Sequence, residues 1–278
     1  MSGKPYAEVI GDPISHSKSP LIHGFWLEKL GIDAEYRACH VRPDELADYF
    51  AQRRGDAEWR GGNVTIPHKQ EVGQYLDQSD DKARAIGAVN TVYRDRDGRL
   101  SATNTDVDGV RAAIAGLDLT GQEVTVIGAG GAARAAFALL AESNCASVHV
   151  MARNPDKAVN VARSCGLLVV GHLLAADSPA MCQSMLLINA TQLGMVGQDQ
   201  MPSFVIAELD ELAEGARVFD MVYAPLETDL LAGARHRGIR TSDGLVMLIG
   251  QAAVAFEKFF GQPAPREHDA ELRALLTA

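Results

Sequence analysis

Several short stretches carry residues whose types and spacing suit chemistry. Residues 62–71 read GNVTIPHKQE, an apolar, β-branched run that passes through Pro67 into His68 and Lys69. Asn90 ends Gly87-Ala88-Val89-Asn90, and Asp106 ends Thr103-Asn104-Thr105-Asp106. If each lies just past a strand, the three polar residues fall where open α/β sheets gather ligands. Oxidation of an alcohol would use them. Hydride leaves the carbinol carbon while a base takes the hydroxyl proton. A lysine does this when burial or neighbouring groups tune its proton affinity, and a carboxylate orients it. Lys69 and Asp106 are far apart in sequence, so only the fold can join them. From spacing alone, two solvated surface charges are the better reading, and His68 competes as proton carrier.

Residues 124–134 read VTVIGAGGAAR. A β-branched strand enters Gly128-Ala129-Gly130-Gly131-Ala132-Ala133 and an alanine-rich helix leaves it, the context a dinucleotide-binding turn requires. Gly128 permits the tight turn, Gly130 lets the backbone approach a pyrophosphate, and Ala133 lets the helix pack closely on the strand. An NAD site places an acid about 20 positions further on, at the end of the next strand. Here that strand ends in Ala152-Arg153-Asn154, with Lys157 beyond. An arginine there stacks on adenine and pairs with a 2′-phosphate, so NADP is expected. Against it stands a solvated arginine opening a surface helix. Residues 11–20, GDPISHSKSP, place Ser17 and Ser19 ahead of Pro20. Their hydroxyls at a helix start suit a carboxylate, although plain capping by Ser19 is the better reading of that stretch alone.

The elements that must position these groups alternate. Strands are expected at Tyr6–Ile10, Ala34–Cys39, Gly62–Ile66, Thr91–Tyr93 and Arg99–Ala102, the last two joined by the hairpin signal Asp95-Arg96-Asp97-Gly98. Helices are expected at Pro20–Leu30, Pro43–Gln52 and Asp81–Ile86. A second series follows, with strands at Glu123–Ile127, Ser147–Ala152, Leu167–Val170, Met185–Asn189 and Arg217–Met221. Its helices are Ala132–Glu142, Pro155–Cys165 and Thr228–Arg237, and a last apolar helix covers Leu245–Phe260. The expected fold is α/β in two domains with a cleft between them. Residues 1–105 with 241–278 form a substrate-binding domain with a mainly parallel sheet, and residues 106–240 form a doubly wound, Rossmann-like NADP-binding domain.

Composition agrees with that class. At 278 residues, 47% hydrophobic and 22% charged, the chain is that of a globular protein with more than one core. Its formal charge of −10 argues against nucleic acid or an anionic membrane as main partner. No apolar run reaches the ~20 residues of a membrane span. The N-terminal lysine has no continuous apolar segment behind it, so no signal peptide is expected. Cys39, Cys145, Cys165 and Cys182 show no metal-ligand or redox spacing and are expected to be reduced thiols in the cytoplasm. No metal is expected.

Taken together, the motifs carry a resemblance. Ser-His-Ser-Lys-Ser-Pro (15–20), Asn-Val-Thr-Ile-Pro-His-Lys (63–69), Gly-Ala-Val-Asn-Thr (87–91) and Asn-Thr-Asp (104–106) resemble the shikimate dehydrogenase family, which includes shikimate/quinate dehydrogenases. So do Gly-Ala-Gly-Gly-Ala (128–132), Asn-Ala-Thr (189–191), Asp-Met-Val-Tyr (220–223) and Asp-Gly-Leu-Val-Met-Leu (243–248), with Gln251 just beyond. The resemblance runs nearly the whole chain, in family order. It implies reversible NADPH-dependent reduction of 3-dehydroshikimate to shikimate on the pathway to aromatic amino acids. It also implies a catalytic pair, Lys69 and Asp106, with Lys69 as principal proton carrier.

By the same resemblance, Ser17, Ser19 and Tyr223 would hold the substrate carboxylate, and Thr65, Asn90 and Gln251 would bond ring hydroxyls or Lys69. Gly128, Ala129, Gly130, Gly131, Ala132, Arg153 and Lys157 would hold NADP, and Met247 would pack near the nicotinamide. A monomer or homodimer is expected. Some positions depart from the family pattern. Ala152-Arg153-Asn154 replaces the usual Asn-Arg-Thr, His68 stands where phenylalanine is common, Val246 where glycine is, and Ala224 where asparagine is. A quinate-oxidising or NAD-using paralogue is the alternative, and a non-catalytic NADP-binding sensor is a further one.

Overall fold

The computed structural model describes residues 3–176 and 178–278, which divide into two compact units, 1–105 with 251–278 and 106–250. Residues 241–250, expected in the substrate-binding domain, fall in the second unit.

The first unit runs β1 (Tyr6–Gly11), α1 (Ser19–Leu30), β2 (Glu35–His40), α2 (Leu46–Gly55), β3 (Trp59–Val64), β4 (Gln78–Ser79), α3 (Asp81–Ile86), β5 (Thr91–Arg94) and β6 (Leu100–Thr103). Its sheet has the order β2-β1-β3-β5-β6-β4. β1 pairs in parallel with β2 and β3, and β4 with β6, whereas β3-β5 and β5-β6 are antiparallel. β1 is buried along its whole length, as a strand with neighbours on both sides and cover on both faces must be. The β5-β6 hairpin forms where Asp95 Oδ1 accepts from the N–H groups of Asp97 and Arg99, each at 2.9 Å, and Gly98 takes φ +79°. α1 stops at Gly31, whose left-handed φ of 63° returns its N–H to Glu28 O. Tyr6, Ile10, Leu46, Phe50, Trp59, Val64, Val92 and Leu100 pack together in one core cluster of this unit.

The second unit runs α4 (Asp106–Ala113), β7 (Glu123–Ile127), α5 (Gly131–Ala141), β8 (Ser147–Ala152), α6 (Pro155–Ser164), β9 (Val170–Leu173), β10 (Ser184–Asn189), α7 (Ser203–Ala207), β11 (Arg217–Asp220), α8 (Asp229–His236) and β12 (Arg240–Ser242). Followed from β9, its sheet is β9-β8-β7-β10-β11-β12, with every pairing parallel. That is the doubly wound 3-2-1-4-5-6 order, and the strand order reverses between β7 and β10. α9 (Gly244–Phe260) begins in this unit and ends in the first, and α10 (Asp269–Thr277) closes the chain.

Where elements differ from expectation, local geometry gives the reason. The helix expected from Pro43 opens as a 3-10 turn, Pro43–Glu45, before α2. β3 ends at Val64 rather than Ile66, because the chain bends toward a 3-10 turn at His68–Gln70, with His68 N bonding back to Thr65 O. The strand expected at 167–170 lies at Val170–Leu173 instead. Gly166 takes φ +80°, and Leu167 N still bonds Ala162 O, so Leu167 completes the end of α6. Arg240–Ser242, where no strand is expected, pairs with β11 as an edge strand.

Candidate functional site

In the first unit, the 3-10 turn after Pro67 carries Lys69, and its backbone is tied down on both sides. His68 N donates to Thr65 O at 3.0 Å, and Val89 N donates to Lys69 O at 2.7 Å. The second bond sets Lys69 beside the segment that ends in Asn90. His68 is 1% exposed, and its Nε2 donates to Val41 O at 2.7 Å. A carbonyl only accepts, so the Nε2 proton is committed to the fold. His68 therefore anchors the turn to the loop after β2. Thr65 sits against the end of β1, its N–H on Ile10 O at 3.0 Å. Gly11 permits that approach, since a Cβ there would stand 2.5 Å from Thr65 Cγ2.

The amides behind this turn form a dry network. Asn90 is 3% exposed, Thr105 is fully buried, and Gln251 on α9 is nearly so. Thr105 N donates to Asn90 Oδ1 at 2.7 Å, Asn90 Nδ2 to Thr105 Oγ1 at 3.0 Å, and Thr105 Oγ1 to Gln251 Oε1 at 3.3 Å. Sequence reasoning named Asn90 and Gln251 but missed Thr105, although it stands beside Asp106 in the same motif. At the start of α1, Ser19 is a helical residue rather than the cap. Lys18 occupies the cap position without a side-chain bond, and Ser17 Oγ accepts from Ser19 N at 3.3 Å. Ser19 is buried and its hydroxyl bonds Tyr36, so the plain-capping reading of Ser19 does not hold.

In the second unit, the glycine turn follows β7. Gly128 takes φ +98°, and a Cβ there would meet Thr191 Cγ2 at 2.5 Å, so the fold itself requires this glycine. Gly130 and Gly131 are exposed, and a Cβ on either would meet nothing within 4 Å. The chain's own packing does not require them. Their bare backbone instead leaves the start of α5 open to a group from outside, beside Ala129 and Ala132. α5 has no side-chain cap, so the N–H groups of its first turn suit a phosphate. Ala133 is fully buried, as close helix–strand packing demands. Thr191 is held in turn by Asn189, whose Oδ1 accepts from its N–H and hydroxyl. Asn189 Nδ2 donates to Asp220 Oδ1 at 2.9 Å, and Thr228 and Val222 N also donate to that carboxylate. The Asn-Ala-Thr and Asp-Met-Val-Tyr motifs thus brace the turn.

Past β8, Arg153 is exposed and no acid stands at the strand end. Asn154 caps α6, its Oδ1 accepting from Lys157 N at 3.0 Å. Lys157 lines an open depression of about 530 Å³ with Asn154, Asp156, Asn160, Ser164 and Arg134. Arg134, on α5, is a second cation there, which sequence reasoning missed although it closes the glycine-turn stretch. These residues fit a nucleotide with a 2′-phosphate. Tyr223, 37% exposed, follows the Asp220 bracket, and Met247 is half-buried in the first turn of α9. Asp243 Oδ1 caps that turn through Leu245 N and Val246 N. Asp106 is the first residue of α4. No cluster of histidine, cysteine or acidic residues suited to a metal occurs among the described residues.

Three family models match the chain in sequence. They are the shikimate dehydrogenase substrate binding domain over residues 9–92, shikimate / quinate 5-dehydrogenase over 111–193, and the shikimate 5′-dehydrogenase C-terminal domain over 244–271. A shikimate dehydrogenase (NADP(+)) from Sphingopyxis alaskensis is 50% identical over 274 residues, which is 99% of this chain and 97% of that protein. The chain belongs to the shikimate dehydrogenase family. A Thermus thermophilus shikimate 5-dehydrogenase, crystallised with NADP(H) and shikimate, superposes with a TM-score of 0.82 at 32% identity, covering 98% of this chain and 99% of that one. The 5-ketofructose reductase of a Gluconobacter strain superposes with a TM-score of 0.87 at 26% identity, covering 99% of both chains. One fold thus hosts reductases of different substrates, and function must be argued from the site.

Set beside the family motifs, the structure joins Thr65, Lys69, Asn90, Thr105 and Gln251 within the first unit through β3, the 3-10 turn and the start of β5. It joins the glycine turn, Thr191 and Asp220 within the second, at the carboxyl ends of β7, β10 and β11. Asn189 and Asp220, each in one of the shared motifs, are structural braces.

Proposed function

We propose that the chain catalyses the reversible, NADP-linked reduction of 3-dehydroshikimate to shikimate, on the pathway to the aromatic amino acids. The observation that carries this is identity of 50% to a shikimate dehydrogenase (NADP(+)) over 99% of the chain. The buried Asn90–Thr105–Gln251 amides and the open glycine turn support it. NADP supplies or accepts the hydride when bound. In this reading Lys69 passes the proton to or from the substrate oxygen, with Asp106 as its partner. The turn that carries Lys69 is held by His68 and Val89, so the ammonium's root is fixed and only its side chain need move.

Asn90, Gln251 and Thr65 would bond ring hydroxyls, while Ser17, Ser19 and Tyr223 would take the carboxylate. Gly128, Ala129, Gly130, Gly131 and Ala132 would offer backbone to the pyrophosphate, and Arg153 with Lys157 would take the 2′-phosphate. Met247 would pack on the nicotinamide. The enzyme would work in the cytoplasm as a monomer or homodimer. Among the described residues no helix is long and apolar enough to cross a membrane.

The test is absorbance at the reduced-nicotinamide band, offering shikimate and quinate each with NADP and with NAD. Turnover of shikimate with NADP is expected to exceed the other three combinations. No signal with that pair overturns the proposal. Comparable efficiency with quinate and NAD moves the chain to the quinate-oxidising class.

A further inference from the structure

Tyr36, met above only as a partner of Ser19, and Thr91 both sit in the buried network of the first unit. Tyr36 is 8% exposed and Thr91 fully buried. The Tyr36 ring is fixed by stacking flat on His23, at 4.0 Å between centroids and 4° between planes. Its hydroxyl lies 2.6 Å from Asn63 Oδ1. Side-chain amides can be turned either way, and their neighbours decide. Two backbone groups decide here.

The first is the carbonyl of Asn90, 3.4 Å from Asn63 Nδ2. A carbonyl only accepts, so the Asn63 nitrogen faces it, the oxygen faces Tyr36, and Tyr36 must donate. Asn63 Nδ2 also donates to Thr91 Oγ1 at 3.0 Å, which leaves the Thr91 proton for Asn90 Oδ1 at 2.9 Å. The second is the N–H of Thr105, which only donates and lies 2.7 Å from Asn90 Oδ1. That fixes the oxygen of Asn90 and turns its Nδ2 to Thr105 Oγ1 at 3.0 Å. Asn90 Oδ1 also lies 3.2 Å from Thr105 Oγ1 but already accepts from Thr105 N and Thr91, so the Thr105 proton goes to Gln251 Oε1 at 3.3 Å. Gln251 meets two donors, since Asn90 Nδ2 is also 3.5 Å away, so it presents its oxygen inward. What Gln251 offers elsewhere is its Nε2.

We propose that Tyr36 and Thr91 are positioning residues: the backbone groups of Asn90 and Thr105 set the sense of the amides, and the one-way chain of hydrogen bonds from Tyr36 and Thr91 through Asn63, Asn90 and Thr105 to Gln251 holds the Asn90 and Gln251 amides in place for the substrate's ring hydroxyls. This rests on the function proposed above. Aligned donors and acceptors in a dry setting polarise one another, so the chain holds its sense better than isolated pairs would. Thr91 is its middle link, accepting from Asn63 and donating to Asn90. Removing that hydroxyl cuts the chain between its two backbone anchors.

The experiment compares Thr91→Val, which keeps the shape and loses the hydroxyl, with Thr91→Ser, which keeps the hydroxyl and loses the methyl. KM and kcat for shikimate are measured at saturating NADP, with NADPH affinity followed by its fluorescence. Thr91→Val is expected to raise KM for shikimate about tenfold, the scale of one buried hydrogen bond, with NADPH affinity unchanged. Thr91→Ser is expected to return KM to within about threefold of the parent, and Tyr36→Phe to raise it several-fold.

A Thr91→Val enzyme with the parent KM overturns the inference. So does Thr91→Ser impaired as badly as Thr91→Val, because the methyl's packing would then carry the effect. Should Thr91→Val fail to fold, Tyr36→Phe decides, and an unchanged KM overturns the inference. A parent inert toward shikimate with NADP overturns the proposed function and this inference together, whereas an active parent with unaffected variants overturns the inference alone.

Discussion

His23 should make the first unit acid-sensitive in a way that one substitution removes. The ring is fully buried, and neither nitrogen has a hydrogen-bond partner. It stacks on Tyr36, meets Trp26 edge-on at 5.6 Å, and lies 5.8 Å from Phe256. Burial among these rings lowers its pKa from 6.5 to about 3. Above pH 6.5 the ring is neutral folded or unfolded, and it adds no pH dependence. As pH falls below 6.5, the unfolded chain takes up a proton that the folded chain refuses, so stability is lost down to about pH 3. Each pH unit in that window costs about 1.4 kcal/mol, which is about 2 kcal/mol between pH 7.5 and pH 5.

His23→Leu keeps the volume and removes the proton site. Urea unfolding of both proteins at pH 7.5 and pH 5 would be followed by tryptophan fluorescence. Trp26 and Trp59, the chain's two tryptophans, both lie in this unit, so the signal reports on it. The absolute stability of the variant is not the readout. Carboxylates lose or gain the same in both proteins and cancel. The wild type should therefore drop by about 2 kcal/mol more than His23→Leu. Equal drops in the two proteins would refute the reasoning.

Lys69→Ala should lower turnover of shikimate by about a hundredfold or more, the usual worth of a placed proton carrier, while NADPH titration shows unchanged affinity. Glu8→Gln should cost about 3 kcal/mol in urea unfolding. Glu8 is fully buried on β1 and accepts from Arg53 Nε at 2.5 Å and Tyr49 OH at 2.8 Å, so the variant strands a guanidinium that is 14% exposed. Gly128→Ala should weaken NADPH binding about tenfold or more, because φ +98° and the 2.5 Å approach of Thr191 both oppose a side chain; fluorescence titration reads the loss. Arg153→Ala should raise KM for NADP about tenfold and leave KM for NAD nearly unchanged, a ratio that initial rates with the two cofactors give directly.

The second unit was legible because its signals are local. A β-branched strand, Gly128 to Ala133 and an alanine-rich helix lie within a dozen residues, and each is needed for the same turn. The parallel sheet follows from regular alternation. The first unit was legible in its longer strands, but not in the two-residue β4 at Gln78–Ser79 nor in what its polar residues do. His68 is buried and tied to the carbonyl of Val41, which sits in the loop after β2 and leaves no trace in residues 62–71. Ser19 is drawn from capping by Tyr36 on β2. The displaced strand at Val170–Leu173 turns on one left-handed glycine, Gly166, in a stretch where Leu167 and Leu168 look alike in sequence. Leu167 is buried in the structure and Leu168 is 79% exposed.

The two units build ligand sites by opposite means. In the second, Gly130, Gly131, Arg153 and Lys157 stand exposed, and in the proposed reading recognition would rest on bare N–H groups and exposed cations that a phosphate organises on arrival. In the first, Asn63, Asn90, Thr91 and Thr105 are buried and already bonded to one another. Uncharged ring hydroxyls cannot organise amides by charge, so in the proposed reading the amides' orientation is settled before the substrate binds. An amide turned the wrong way meets a hydroxyl donor with a donor, and in a dry site that costs more than a missing contact. On the proposed function, the polar network is where discrimination between similar ring alcohols would reside. The 5-ketofructose reductase that shares this fold marks how little of that choice the backbone alone decides.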